Sequence, residues 1–205
     1  MRHAGTQTIE TQRLLLRRLT PADAPAMFRN WASDPEVTRF LRWDPHPDAE
    51  MTRQLLAAWA ELYPNPDYYQ WAIVEKATGE VFGSFSLMDD ALNEQVRPEL
   101  WNIPGLDFTH SQWEVGYCIG KAWWNKGFMT EALRAVMDYI FEQTDIGWIA
   151  SCHAVDNPAS GRVMEHAGFV YDHNDLYHRF DGTPVECRVY ALTREAHLKE
   201  KGTRT

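Results

Sequence analysis

A chain of 205 residues with 44% hydrophobic content fits one domain with a sizeable core, and 20 Lys+Arg against 29 Asp+Glu leave a net charge of −9. That balance excludes a general nucleic-acid binder, which needs a basic face. The three cysteines, Cys118, Cys152 and Cys187, form no CxxC and are a poor disulfide framework, so a reduced, cytoplasmic compartment is expected; no run is apolar enough to span a bilayer, and the dispersed histidines lack metal-ligand spacing.

Residues 1–11 are polar and expected to be loose or weakly paired. Arg13–Leu19 reads as a first strand, and Thr20-Pro21-Ala22-Asp23 as a helix start with Thr20 as cap and Pro21 at the first helical position. Asp34-Pro35 ends or restarts that helix. Asp48 can cap a second helix reaching about Tyr63, stopped by Pro64-Asn65-Pro66. These two helices could cover one end of a sheet. Tyr69–Glu75 and Val81–Leu87 then form a hairpin about Ala77-Thr78-Gly79. Residues 89–110, with Asp89-Asp90 and Arg97-Pro98, show no period and read as an insertion, either functional or a plain surface excursion.

The central stretch runs from Glu114 to Ala132. Trp113, Val115, Tyr117 and Ile119 alternate with Glu114, Gly116 and Cys118, the period of a strand. From Gly127 onward Met129, Leu133, Val136 and Ile140 fall on one helical face, widened by Ala132 and Met137. Trp124-Asn125-Lys126-Gly127 lies between. A helix start with unpartnered N–H groups, a glycine and a lysine suits a phosphate, although a turn followed by a cap explains the same residues. Trp148–His153 is a short strand, and Asn157-Pro158-Ala159-Ser160 opens a helix closed at Ala167-Gly168. Gly161 inside that helix costs about 1 kcal/mol against alanine and hints at close packing. Val170–Arg179 and Val185–Leu192 make a last hairpin, and the charged tail from Thr193 is helical or frayed. Strand, helix, helix, hairpin, strand, helix, strand, helix, hairpin implies a mixed α/β sheet with helices on both sides.

Several ordered motifs resemble the RimJ/RimL-like branch of the GNAT-superfamily N-acetyltransferases. They are Thr11–Arg17 with Thr20–Ala24, Ser33–Val37, Trp71–Val74 with Gly79–Gly83, Glu114–Ala132, and Asn157–Phe169; together they span about Glu10 to Leu192. The resemblance implies one GNAT domain over residues 1–205, with a mostly antiparallel α+β sheet splayed at the cofactor site. It also implies acetyl transfer from acetyl-CoA, by direct attack, to a primary amine on a small molecule or a polypeptide N-terminus. Neither nucleic acid, membrane nor metal takes part, and the chain is a monomer or homodimer. A non-catalytic acyl-CoA-binding or regulatory module on the same fold is the alternative.

By the same resemblance, pantetheine enters between Trp113–Ile119 and Trp148–His153 and pairs with the strand backbone. The loop Trp124, Asn125, Lys126, Gly127, Phe128 and Met129 wraps the pyrophosphate, with Thr130 close by. Two positions depart from the family pattern, Asn125 where glycine is frequent and Met129 where Gly or Ala is usual, so the methionine side chain must turn away. Glu131 suits the helix dipole but repels phosphate unless it points outward.

An amine that is mostly protonated at pH 7 must lose a proton. Glu114 is the candidate base, on the strand face of the small residues Gly116 and Cys118. A backbone N–H at Cys118 or Ile119 can meet the developing oxyanion. Cys118 as a covalent nucleophile lacks a sequence-evident histidine partner. The helix tyrosine found in many GNAT proteins is replaced by Met164, and Ser160 is the candidate acid toward the leaving sulfur, with Asn157 a candidate pantetheine contact. A helix-start serine serving a backbone N–H is the structural reading of Ser160. The amine acceptor would sit between the two first helices, the 89–110 stretch and the last hairpin. Trp31, Trp43, Tyr69 and Trp101 are candidates either to line it or to fill the core.

Overall fold

The computed structural model describes residues 1–89, 98–108 and 112–204. Eight strands form one sheet: β1 (Ile9–Glu10), β2 (Leu14–Arg17), β3 (Tyr69–Glu75), β4 (Val81–Asp89), β5 (Trp113–Ile119), β6 (Trp148–Ala154), β7 (Val170–His178) and β8 (Pro184–Thr193), in the order β1-β2-β3-β4-β5-β6-β8-β7. Every neighbouring pair is antiparallel except β5 and β6. A parallel pair needs a crossover, which α4 (Phe128–Gln143) supplies. That mixed, mostly antiparallel sheet with helices on both faces is the architecture expected from the sequence.

The helical period of α4 sets one face of the sheet. Met129, Ala132, Leu133, Val136, Met137 and Ile140 are all buried, and Phe128 and Phe141 widen the stripe. They pack with Met164 of α5 (Pro158–His166) on Leu14, Leu16, Trp71, Ile73, Phe85, Val115 and Ile149. On the opposite face α1 (Ala24–Met27), the turn after it (Phe28–Ala32), α2 (Pro35–Thr38) and α3 (Ala49–Ala60) bring Met27, Trp31, Val37 and Leu56 against Ala72, Val74 and Val81. Asp34 and Asp48 cap α2 and α3, accepting at 2.8 Å from Glu36 N–H and Met51 N–H.

Thr20 is the N-cap expected from the sequence, in a capping box with Asp23: its N–H and hydroxyl donate to Asp23 at 2.8 and 3.1 Å, and Asp23 also pairs with both Nη atoms of Arg17 at 2.8 Å. The helix that follows breaks into a 3-10 turn (Pro21–Asp23), α1 and a π turn (Phe28–Ala32) rather than running as one. The first residues are pinned rather than loose: Thr6 Oγ1 donates to Tyr68 O at 2.9 Å and Tyr139 Oη to Gly5 O at 2.7 Å. The tail forms α6 (Arg194–Arg204), and no described helix is long and apolar enough to cross a membrane.

Asp89 is the last residue of β4 rather than part of the insertion, and residues 98–108 cover the sheet next to the α1–α3 layer. Trp101, Ile103, Leu106 and Phe108 pack on Trp148, Ala150 and Ala191. A shift in the β7–β8 register between Tyr171 and His173 goes with the anchor: the side chain of Asp172 is buried, and its Oδ1 accepts from Asn102 N–H and Ile103 N–H, each at 3.0 Å. Asp90 and Arg97 lie outside the described residues. Among the aromatic candidates, Trp31 and Tyr69 are core residues, 0% and 1% exposed. Trp101 packs edge-on against Trp148, and Trp43 lies on His46.

The suspicion attached to Gly161 has a physical cause. A Cβ there would stand 2.6 Å from Nε2 of buried His153. Gly161→Ala gains about 1 kcal/mol of helix propensity but overpacks this contact, which costs about 1–3 kcal/mol. Urea unfolding is therefore expected to show a neutral to destabilised variant; a gain of a full 1 kcal/mol would mean that α5 lifts freely from β6.

Candidate active site

The sheet forks at one residue. Parallel pairing between β5 and β6 covers only Trp113 with Ile149 and Glu114 with Ala150. Beyond that point β5 stays on β4 as far as Ile119, while β6 stays on β8. Strand alternation then decides which backbone groups face the gap. Gly120 N–H donates to Phe82 O of β4 at 2.8 Å, whereas Val115 O accepts from the Ser151 hydroxyl of β6 at 3.1 Å. Gly116 and Cys118 thus turn their backbone toward β4, and Val115, Tyr117 and Ile119 turn theirs to the gap. Of the two backbone donors considered for an oxyanion, that of Ile119 lies on the open side. Both ends of the gap are finished by side chains, Ser151 at the fork and the Trp124 indole, which donates to Ile119 O at 2.9 Å.

The loop after β5 takes a left-handed backbone on both sides of Lys126. Asn125 and Gly127 flank Lys126 with φ of 58° and 75°, and asparagine is among the side chains that tolerate this left-handed region best. That is why Asn125 can replace a glycine. Phe128 and Met129 are 6% and 5% exposed with side chains turned into the core, so they offer only their amides. Lys126 is exposed and Thr130 half-buried.

Glu131 turns away from the loop. It accepts from Thr11 Oγ1 at 2.6 Å, Arg13 N–H at 2.9 Å and Arg13 Nε at 2.6 Å. Arg13 in turn donates to Lys126 O at 2.9 Å and lies 4.4 Å over the Phe128 ring. Arg13 is thus a strut of the loop. Burial pushes the Glu131 carboxyl up, but the bonds from Thr11 and Arg13 outweigh it and hold it below its ordinary value. A depressed carboxyl contributes stability above its unfolded pKa that is lost as pH falls through the folded one. Glu131→Gln is expected to cost about 1–2 kcal/mol at pH 7, and denaturant midpoints for variant and parent should converge below about pH 4. Midpoints equally far apart at both pH values would remove the carboxylate from the account.

Glu114 stands at the fork, 7% exposed, on the face covered by α1–α3. Cys152 Sγ donates to its Oε1 at 3.4 Å, and Arg42 Nη2 lies 3.7 Å from Oε2. The segment carrying Arg42 is held by the last hairpin: Tyr177 Oη donates to Phe40 O at 3.2 Å, Arg179 Nη1 to Leu41 O at 2.8 Å and Phe180 N–H to Arg42 O at 2.8 Å. Burial pushes the Cys118 thiol up to about 11 against a bond with Ser84. Hydrogen bonding with Cys187, burial and the charge of Glu114 raise that of Cys152. Both remain thiols at neutral pH, which does not suit a covalent nucleophile.

Ser160 approaches from the other face. Its N–H donates to the capping Asn157 Oδ1 at 3.4 Å, while its hydroxyl lies 2.9 Å from Tyr117 Oη rather than serving a helix-start amide. Tyr117, Arg42, Ser151 and Arg13 were not singled out in the sequence. Tyr117 had a usable signal, since strand alternation puts it with Trp113 and Val115 on the face covered by α4 and α5; Arg42 had none, because a contact made across more than 70 residues of chain leaves no local pattern.

The profile described as "Acetyltransferase (GNAT) domain" matches residues 13–170. The uncharacterized N-acetyltransferase YoaA of Bacillus subtilis (strain 168) is 28% identical over 187 residues, covering 91% of this chain and 96% of YoaA. A GNAT-family acetyltransferase from Bacillus anthracis superposes with a TM-score of 0.70 at 19% identity, covering 92% of this chain and 99% of that one. RimL, the ribosomal L7/L12 alpha-N-protein acetyltransferase solved in complex with coenzyme A, superposes with a TM-score of 0.71 at 19% identity, over 93% and 99%. The profile match covers most of the chain, and the chain belongs to the GNAT family of acetyltransferases.

Proposed function

We propose that this protein moves an acetyl group from acetyl-CoA to a primary amine by direct attack, the amine being a polypeptide N-terminus or a small-molecule amine. The fork at Glu114 carries the reading. It opens a β5 edge onto which an extended pantetheine can add as a strand does, ends at the Asn125–Gly127 cradle, and has Glu114 on one face and Ser160 on the other. The donors present fit the cofactor: the Tyr117 backbone for the amide-bearing arm, and loop amides with Lys126 for the pyrophosphate. RimL supports both the cofactor and a polypeptide N-terminus as one acceptor class.

In this reading Glu114 takes the proton of the attacking amine, directly or through water. Ile119 N–H donates to the carbonyl oxygen as it gains charge. Ser160 gives a proton to the departing sulfur, and Asn157 holds the start of α5 in place. The thioester supplies the activated acyl carbon. The non-catalytic alternative loses two of its motives, since Met129 is turned into the core and Asn125 adopts the backbone that glycine would.

The test is release of free thiol from acetyl-CoA with short peptides, spermidine and an aminoglycoside as acceptors, beside calorimetric titration with coenzyme A. Turnover with at least one acceptor is expected. Binding without acetylation of any of them, or of proteins in a cell extract, would favour the non-catalytic module, and no heat at all would end the cofactor assignment.

A further inference from the structure

We infer that Tyr117 is a positioning residue for the acid, aiming the Ser160 hydroxyl at the leaving sulfur from across the gap between β5 and α5. This rests on the transferase reading. Met164 of α5 is fully buried in the core and offers no proton. The phenol near the gap comes from the strand instead. Tyr117 Oη is 2.9 Å from Ser160 Oγ and 3.2 Å from Ser160 O, and among the described residues both partners of this hydroxyl belong to Ser160.

Packing does not explain the hydroxyl. The Tyr117 ring stacks on Phe85 with centroids 6.1 Å apart, and a phenylalanine would stack equally well without a half-buried oxygen to satisfy. The two distances also permit a switch that needs only hydroxyl rotation. With nothing to its front, Ser160 donates to Tyr117 Oη and Tyr117 donates to Ser160 O. With a sulfur in reach, Ser160 turns its hydrogen to the sulfur and Tyr117 turns its own to Ser160 Oγ. A carbonyl has no hydrogen to give, so Tyr117 can be held by Ser160 O in one state and released to Oγ in the other.

The proton count closes. The amine lone pair forms the C–N bond, and the C–S bond breaks with its electron pair left on sulfur. The amine's proton goes to Glu114, Ser160 passes its hydroxyl proton to the sulfur while Tyr117 donates a hydrogen bond to Oγ as it gains charge, and after the thiol departs water returns a proton to Oγ while Glu114 gives its proton to the hydroxide left behind. Burial raises the Tyr117 phenol above its ordinary value, against the bond with Ser160, so it stays protonated and able to donate throughout the neutral range.

The experiment is a double-mutant cycle on thiol release from acetyl-CoA, using Tyr117→Phe, Ser160→Ala and the pair, with the acceptor of highest turnover from the panel above. Tyr117→Phe is expected to lower kcat about tenfold while the KM for acetyl-CoA stays within twofold and the thermal midpoint within about 3 °C, the order expected for one neutral hydrogen bond. Ser160→Ala should cost more, and the double variant no more than Ser160→Ala alone. Undiminished kcat in Tyr117→Phe, or losses that multiply in the double variant, would overturn the assignment while leaving the transferase intact. A wild-type chain that turns over no acceptor would overturn both. If Tyr117→Phe unfolds, Ser160→Thr takes its place: it keeps an Oγ for Tyr117, so retained kcat supports the inference and a fall to the level of Ser160→Ala overturns it.

Discussion

Glu114→Gln is expected to lower kcat by about 10²- to 10³-fold while leaving the affinity for coenzyme A within twofold. The amide has the volume of the carboxyl, and its oxygen can still accept from Cys152, which donates at 3.4 Å in the parent. It cannot take a proton, and positioned acid–base groups contribute about 10²–10⁴ in rate. Stability should change little. Arg42 loses an anion only at 3.7 Å and keeps a side chain 31% exposed, so water replaces most of what the carboxylate gave. Thiol-release kinetics beside calorimetry separate the two parameters. Turnover within threefold of the parent would remove Glu114 from the mechanism, and a matched loss of coenzyme A affinity would mean that it shapes the gap rather than the chemistry.

How far this site could be read from the chain depends on the range of each contact. The β5 strand, the helix after it and the left-handed position at Gly168 are written in local periods and caps, and the structure has them at Trp113–Ile119, Phe128–Gln143 and φ 93°. Asn125 and Met129 looked like weaknesses in the phosphate loop because a residue type does not state its backbone angle or side-chain direction. Once Asn125 is at φ 58° and Met129 is in the core, neither blocks an anion. Glu131 was ambiguous for a different reason. Its partners, Thr11 and Arg13, come from the turn between β1 and β2, more than 110 residues earlier. Nothing in the local sequence marks the fork; only the family resemblance implies it. Its limits come from two hydrogen-bonding side chains, Ser151 and Trp124, whose partners no period predicts. Trp31 and Trp101 show the converse: in a chain with nine tryptophans these two serve packing, Trp31 fully buried under the first helices and Trp101 partly buried against Trp148.

The largest effect on cofactor affinity is expected at Gly127. A Cβ there meets nothing nearer than Arg13 Nη2 at 3.6 Å, so a substitution fails through the backbone and not through a clash. At φ 75° a β-branched residue is strained by about 1–3 kcal/mol. Gly127→Val can relieve that only by leaving the left-handed region, which rotates the peptide planes on either side of it and aims their N–H groups away from the point where a phosphate would sit. Losing one or two bonds to a charged group at about 1.5–3 kcal/mol each outweighs any contact the valine gains. A net loss of 2–3 kcal/mol weakens coenzyme A binding by roughly 30- to 150-fold. Asn125→Gly is the internal control, since glycine takes φ 58° with no strain and the amides keep their direction; its affinity should stay within twofold. Calorimetric titration with coenzyme A, with thermal melts to confirm folding, reads both variants. Equal affinity in Gly127→Val and the parent would separate this turn from the diphosphate, and loss in Asn125→Gly as large as in Gly127→Val would show that the asparagine side chain, not the backbone it permits, makes the contact.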